Sequence, residues 1–151
     1  VRMRTTTSPA TLSSASELPR QMGRLHFSPI DGFLRGFMDL VVRHDGRYYL
    51  IDWKSNRLGA HSRDYSKAHL DQVMQNSFYS LQSWLYTLAL DRYLAQRLTG
   101  YRYERDFGGI FYIFVRGLDP AHPDRGVHYS RPDAAFVRRL GSTLLRDGMH
   151  S

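Results

Sequence analysis

Two short runs of apolar, β-branched and aromatic residues flank the dipeptide Asp45-Gly46. An Asp-Gly pair is favoured in two-residue hairpin turns, because both positions can take a positive φ. The pattern therefore predicts a β-hairpin in which His44 pairs with Arg47. The strands are apolar at consecutive positions, over Leu40–Val42 and Tyr49–Ile51, which is typical of strands covered on both faces.

The register of this hairpin brings two acids together. Counting back from the turn places Asp39 opposite Asp52, with Lys54 on the same face as Asp52. Like charges on directly opposed strand positions repel one another unless a cation neutralises them, and carboxylates are ligands that Mg²⁺ prefers. The alternative is that both acids lie at exposed strand ends, with Lys54 paired to one of them. A one-residue change in the loop would also remove the pairing.

The rest of the chain predicts a mixture of strands and helices. Leu25–Pro29 is predicted to be a short leading strand, and Leu81, Leu85, Leu88 and Tyr93 form an apolar stripe on a long helix. Strands followed by helix, strand and helix indicate an α/β fold with a mixed central sheet flanked by helices. The later elements are predicted as helices at about 67–76 and 78–98, a strand at 108–115, and a terminal helix from Arg131-Pro132-Asp133 to about Arg146.

Composition indicates one soluble domain. The chain has 151 residues, of which 42% are hydrophobic, and no apolar run approaches the roughly 20 residues that span a bilayer. Residues 1–16 are rich in Ser, Thr, Ala and Pro and are predicted to be a disordered arm or linker, followed by a folded domain over 17–151. The start on Val1 suggests a fragment, and the expected location is the cytoplasm.

Charge and cysteine content narrow the function. The net charge of +7 favours a polyanionic partner such as DNA, because neutralised phosphates release counterions. The absence of cysteine excludes disulfides and thiolate metal sites, which leaves oxygen ligands as the main option for a metal. The seven histidines show no metal-ligand spacing, and no Gly-x-x-x-x-Gly-Lys-Ser/Thr motif indicates an ATP site.

Asp39 followed by Asp52-Trp53-Lys54 resembles the PD-(D/E)xK motif of a large nuclease superfamily. More narrowly, the chain resembles the C-terminal nuclease domains of RecB subunits, the beta subunits of exodeoxyribonuclease V (RecBCD). The resemblance covers roughly residues 31–131 and implies a restriction-endonuclease-like α/β core. It rests on four blocks in order: Gly32–Asp39, Gly46–Gly59, Leu81–Leu90, and Phe107–Gly109 with Phe114–Gly117.

The resemblance implies a role for each site residue. Asp39 and Asp52 would be metal ligands for Mg²⁺, joined by the backbone carbonyl of Trp53. Lys54 would position the attacking water and stabilise transition-state charge, since adjacent carboxylates favour its charged form over a free amine base. The pattern Gln82-x-x-x-Tyr86 would contact DNA or support the metal ligands, with Tyr79 one turn earlier. From the residues alone, a polar seam satisfied within the core is the alternative.

Other polar residues are less specific. Ser55 and Asn56 either contact a phosphate or cap the turn. Any of Arg35, Arg43, Arg57 and Arg116 can contact a backbone phosphate, although a solvated arginine is the commoner outcome. RecB-type domains carry two further metal-site residues, a histidine and a glutamate, upstream of the aligned segment. The chain offers no convincing match for either, which indicates an N-terminally truncated domain with a looser site.

Three functions are therefore weighed. The first is a Mg²⁺-dependent DNA nuclease domain of a RecB-like helicase-nuclease in double-strand-break repair, for which the family implies RecC and RecD subunits and the RecA recombinase as partners. The second is a catalytically inert module that binds DNA or RecA. The third, ranked last, is another PD-(D/E)xK enzyme such as a phage or CRISPR-associated exonuclease, because the Phe-Gly-Gly and Phe-Val-Arg-Gly blocks extend beyond the generic core.

Overall fold

The computed structural model describes residues 36–146. The predicted N-terminal arm, the leading strand Leu25–Pro29 and Arg35 lie outside the described residues. The described elements run in the order β1 (Leu40–His44), β2 (Arg47–Lys54), a 3-10 turn (Ser62–Tyr65), α1 (Lys67–Asn76), α2 (Tyr79–Arg97), α3 (Tyr103–Asp106), β3 (Phe107–Phe114), a 3-10 turn (Val115–Gly117), β4 (Val127–Ser130) and α4 (Ala134–Arg146).

The four strands form one mixed sheet in the order β1-β2-β3-β4. β1 and β2 are antiparallel, β2 and β3 are parallel, and β3 and β4 are antiparallel. The parallel pair requires a crossover, which α1 and α2 supply. The fold is therefore α/β, with helices packed on a mixed sheet, as the sequence predicts.

The hairpin turn sets the register that the sequence predicts. Asp45 and Gly46 have φ values of 46° and 78°, as a type I′ turn requires. His44 pairs with Arg47, and the ladder continues to Leu40 opposite Ile51. Every side chain of β1 is thereby assigned to a face, since a shift of one residue would exchange the two faces.

The two faces of the sheet differ in burial. One face of the two inner strands, β2 and β3, packs under the helices and carries Leu50, Ile110, Tyr112 and Phe114, each 0% exposed. The prediction that both hairpin strands are covered on both faces is wrong for β1, which is an edge of the described sheet and has Leu40 and Val41 exposed. A continuous run of apolar residues predicts that a strand is hydrophobic, but it does not show which element of the fold covers each face of that strand.

The long helix α2 buries a different stripe from the predicted one. Tyr93 is exposed, and Leu81, Leu85 and Leu88 are only partly buried. The helix is packed on two sides, against the sheet and against α4, where the rings of Trp84 and Phe136 lie 5.2 Å apart. The buried positions of α2 are Ser83, Trp84, Thr87, Leu90 and Leu94. Small residues such as Ser83 and Thr87 are buried because contacts on two sides bring neighbouring backbones close to the helix.

The remaining boundaries agree closely with the sequence. α1 begins and ends at the predicted residues, α2 lies within the predicted helix, and the third strand begins one residue earlier than predicted. Strand β4 was not predicted, because its four residues are too few for a clear alternation of apolar and polar positions. None of the helices in the described part of the chain is long and apolar enough to cross a membrane.

A bulge near the start of β3 explains why two glycines follow Phe107. Tyr48 of β2 pairs with Phe107 of β3, whereas the next residue, Tyr49, pairs with Gly109. Gly108 is therefore the extra residue of the bulge. Gly109 has a φ of +126°, and a Cβ at this position would lie 2.5 Å from Cε2 of Tyr129. Only glycine satisfies both constraints.

We expect Gly109→Ala to lower the free energy of unfolding by about 2–4 kcal/mol, because it adds backbone strain and a clash with Tyr129. Gly100→Ala is the matched control: Gly100 also has a positive φ, of +73°, but nothing lies within 4 Å of its Cβ position. Its loss should be about 1 kcal/mol. Urea denaturation of both variants measures the difference, and equal losses would contradict this account of the bulge.

Candidate active site

The open end of the hairpin brings the two predicted acids together. Leu40 pairs with Ile51, so the next rung sets Asp39 opposite Asp52. The backbone N–H of Trp53 donates a hydrogen bond of 2.9 Å to Oδ2 of Asp39. The N–H and C=O groups of one strand residue point to the same side, so the Trp53 carbonyl also faces the Asp39 side of β2.

Asp52 is the buried member of the acid pair, with 5% of its side chain exposed. Its Oδ2 lies 2.7 Å from Nζ of Lys54, whose side chain is 12% exposed. Burial raises the pKa of Asp52 above its usual value, Lys54 opposes that shift, and the charge of Asp39 adds to it. The site therefore sets the buried carboxylate of Asp52 beside the exposed one of Asp39, with one ammonium group to balance the two.

A chain of polar contacts connects Lys54 to helix α2. Nζ of Lys54 donates to Oε1 of Gln82 at 3.0 Å, and Nε2 of Gln82 donates to the hydroxyl of Tyr86 at 3.0 Å. The Tyr86 ring passes so close to Gly36 that a Cβ there would lie 3.0 Å from Cε1. The predicted shared face is confirmed, and the seam touches both Lys54 and the segment that leads into Asp39.

The residues that follow Lys54 are held by contacts of their own. The hydroxyl of Tyr79 donates to Oδ1 of Asn56 at 3.2 Å, and Nε of Arg116 donates to the carbonyl of Ser55 at 2.9 Å. The side chains of Ser55, Asn56 and Arg116 remain exposed beside the site. Of the other predicted phosphate-binding arginines, Arg43 lies over the Tyr48 ring at 5.8 Å and Arg57 is exposed.

A sequence model of the PD-(D/E)XK nuclease superfamily matches residues 4–147. The chain belongs to this superfamily. Three similar proteins carry the name "RecBCD enzyme subunit RecB". The one from Escherichia coli (strain K12) is 50% identical over 113 residues, which is 75% of this chain. The one from Haemophilus influenzae is 45% identical over 86% of the chain, and the one from Mycobacterium tuberculosis is 38% identical over 82%.

This chain spans about a tenth of the length of these relatives, 10% of the first two and 12% of the third. The similarity to RecB and the PD-(D/E)XK fold agree with the family expected from the four sequence blocks. The third alternative, another branch of the superfamily, is disfavoured because the similarity to RecB subunits covers most of the chain.

PD-(D/E)XK nucleases generally use divalent metal ions, and the donor set here fits such an ion. Oδ2 of Asp52 is buried and accepts no hydrogen bond of regular geometry, although Lys54 lies beside it. Two carboxylates and a backbone carbonyl are oxygen donors of the type that Mg²⁺ selects, with water and phosphate as further ligands. Within residues 36–146, no group of three or more histidine, aspartate or glutamate side chains gathers to hold a metal.

Tyr112 is a neighbour of the site that the sequence does not predict. Tyr112 lies beside Asp52 in the parallel pairing of β2 with β3, and its ring faces Lys54 with a distance of 5.2 Å from Nζ to the centroid. Burial raises the pKa of Tyr112, and the Asp52 carboxylate adds to the rise, so its hydroxyl stays protonated. Only the strand order reveals this neighbour, and the sequence does not encode that order in any local pattern.

The two lysines of the chain provide a matched test of the buried ion pair. We expect Lys54→Met to lower the free energy of unfolding by about 3 kcal/mol at pH 7, because it leaves the Asp52 carboxylate buried without a cation. Lys67→Met removes an ion pair of 3.2 Å in which the lysine side chain is 60% exposed. That loss should be about 0.5 kcal/mol.

The loss from Lys54→Met should also shrink as the pH falls. Without the ammonium the folded-state pKa of Asp52 rises further, so the folded variant takes up a proton at a higher pH and no longer contains an unpaired charge. Denaturant unfolding at several pH values between 4 and 8 measures both effects. Equal losses for the two lysines, or a loss at Lys54 that grows toward acid pH, would contradict the ion pair.

Proposed function

We propose that this chain is the Mg²⁺-dependent DNA nuclease domain of a RecB-like helicase-nuclease, of exodeoxyribonuclease V type. It would hydrolyse phosphodiester bonds during double-strand-break processing and recombinational repair in the cytoplasm. The observation that carries this proposal is the proximity of Asp39, Asp52 and Lys54 at the open end of the hairpin, beside the Trp53 carbonyl. The chain also belongs to the PD-(D/E)XK nuclease superfamily.

Asp39, Asp52 and the Trp53 carbonyl would hold the ion. When bound, a divalent ion activates water at neutral pH and neutralises charge on the phosphate. The Trp53 N–H keeps the Asp39 carboxylate oriented. Lys54, held between Asp52 and Gln82, places a fixed positive charge where negative charge grows in the transition state. Burial strengthens this charge stabilisation, because little water screens it.

The polar seam on α2 supports this geometry. Gln82 fixes the ammonium of Lys54, and Tyr86 joins Gln82 to the backbone at Gly36, three residues before Asp39. The contacts favour a buttressing role for these two residues. Ser55, Asn56 and Arg116 are exposed at the end of β2 and its neighbour and would meet the phosphate backbone. The charge of +7 favours DNA approach.

Partners follow from the relatives' shared name and remain part of the proposal. RecB is a subunit of the RecBCD enzyme, so the longer protein would assemble with RecC and RecD and would supply a helicase motor outside this chain. The RecA recombinase is a further proposed partner. The sequence of these 151 residues contains no phosphate-binding loop motif of its own.

A second candidate is an inert module that binds DNA or RecA without cleavage. One observation favours it: the described residues bring only two acids together at the site, and neither a histidine nor a further acid joins them as a third ligand. Fewer charged ligands lower the affinity for a divalent ion, and a site that binds its ion poorly would cleave poorly.

A cleavage assay separates the two candidates. With labelled linear DNA and Mg²⁺, the chain should degrade the substrate; EDTA should abolish cleavage, and Asp52→Ala should slow it at least about a hundredfold, since removal of one charge-stabilising group typically loses that much. The matched control is Asp45→Asn, which removes an exposed charge from the turn of the same hairpin but keeps a residue that tolerates the positive φ, and it should retain the rate. Cleavage that survives both EDTA and Asp52→Ala would exclude the metal mechanism, and DNA binding without cleavage in every condition would indicate the inert module.

A further inference from the structure

Two tyrosine rings surround the side of Lys54 that its polar partners leave open. Nζ of Lys54 contacts Oδ2 of Asp52 and Oε1 of Gln82. The same nitrogen lies 4.3 Å from the ring centroid of Tyr79 and 5.2 Å from that of Tyr112. Both distances are within the roughly 6 Å over which an ammonium is attracted by the face of an aromatic ring.

The two rings pack on each other and on the core. Tyr79 begins helix α2, Tyr112 lies in the middle of β3, and their rings stack with centroids 6.2 Å apart and planes inclined by 27°. Phe114 packs on the other side of Tyr79 in an edge contact at 6.5 Å. Tyr112 is completely buried. The ring of Tyr79 is therefore packed against two fully buried residues of the core, Tyr112 and Phe114.

The contact involves the charged end of the Lys54 side chain. Packing of a lysine stem on a ring is common, but here the terminal nitrogen itself faces two rings. The only other lysine, Lys67, pairs with Asp71 on the exposed surface of α1. Because the site excludes most water, attraction to a ring face is stronger there than on the surface.

We propose that Tyr79 and Tyr112 are positioning residues whose stacked rings hold the ammonium of Lys54 against Asp52 and Gln82, and so fix the location of its charge in the site. This rests on the proposed nuclease function of Lys54. Asp52 and Gln82 restrain the ammonium from two directions, and the rings restrain it from a third. Without the rings, the flexible four-carbon side chain has room to turn away from the reacting phosphate.

Tyr79 makes two separable contributions. Its ring faces Lys54. Its hydroxyl donates a hydrogen bond to Oδ1 of Asn56, which follows Lys54 by two residues. Tyr79→Phe removes only the hydroxyl, whereas Tyr79→Leu removes both the hydroxyl and the ring. Tyr93→Leu is a matched control, because Tyr93 is an exposed tyrosine on the same helix with its own cation, Arg97, 5.7 Å from its ring.

The first test is a double-mutant cycle on the complete chain, measured as DNA cleavage in Mg²⁺. Tyr79→Leu should lower kcat about tenfold with little change in KM, a loss within the range of a buried cation–π contact. In a Lys54→Met background the same change should lower the residual rate less than about twofold. Tyr79→Phe should restore most of the rate, and Tyr93→Leu should leave it unchanged. Equal losses in both backgrounds would overturn the proposal.

The second test does not require activity and therefore also applies if the proposed function fails. In NMR spectra of the unmodified chain, ring currents should shift the ε-methylene protons of Lys54 upfield of those of Lys67. The shift should persist in Tyr79→Phe and decrease in Tyr79→Leu to the smaller part that Tyr112 contributes. Coincident signals for the two lysines in the unmodified chain would overturn the proposal, whether or not the chain cleaves DNA and whether or not the leucine variant folds.

Discussion

The buried ion pair between Lys54 and Asp52 is the interaction on which the site depends. Two charges in a place with little water require partners on every side, because the loss of hydration is large. The ammonium of Lys54 has Gln82 and two tyrosine rings as partners. The Asp52 carboxylate has the ammonium as its partner and is also repelled by the charge of Asp39. The excess of negative charge that remains is the property a divalent cation would neutralise.

Several distant parts of the chain serve this small cluster. The type I′ turn sets the hairpin register, the bulge at Gly108 and Gly109 aligns β3 with β2, and β3 then carries Tyr112 to the side of Asp52. Helix α2 crosses the same face and contributes Tyr79, Gln82 and Tyr86. The ordinary packing of the core, through residues such as Leu50 and Phe114, therefore also determines the geometry of the charged groups.

Much of this arrangement could be predicted from local sequence. The Asp-Gly turn has one favoured geometry, so the hairpin register and the opposition of Asp39 and Asp52 followed from it. Helical spacing likewise placed Gln82 and Tyr86 on one face. Long-range relations were not predictable: strand order, the exposed edge at β1, the short strand β4 and the approach of Tyr112 all depend on which elements become neighbours. The apolar stripe of α2 was wrong for the same reason, since helix packing on two sides buried Ser83 and Thr87 in place of Tyr93.

Diffraction from a crystal soaked in Mn²⁺, at a wavelength where manganese scatters anomalously, would show whether Asp39 and Asp52 share a metal ion. We expect one anomalous peak at the open end of the hairpin, within about 2.2 Å of a carboxylate oxygen from each of Asp39 and Asp52. A peak bound to only one of these acids, or a site that stays empty at millimolar Mn²⁺, would contradict the claim that the two acids share an ion.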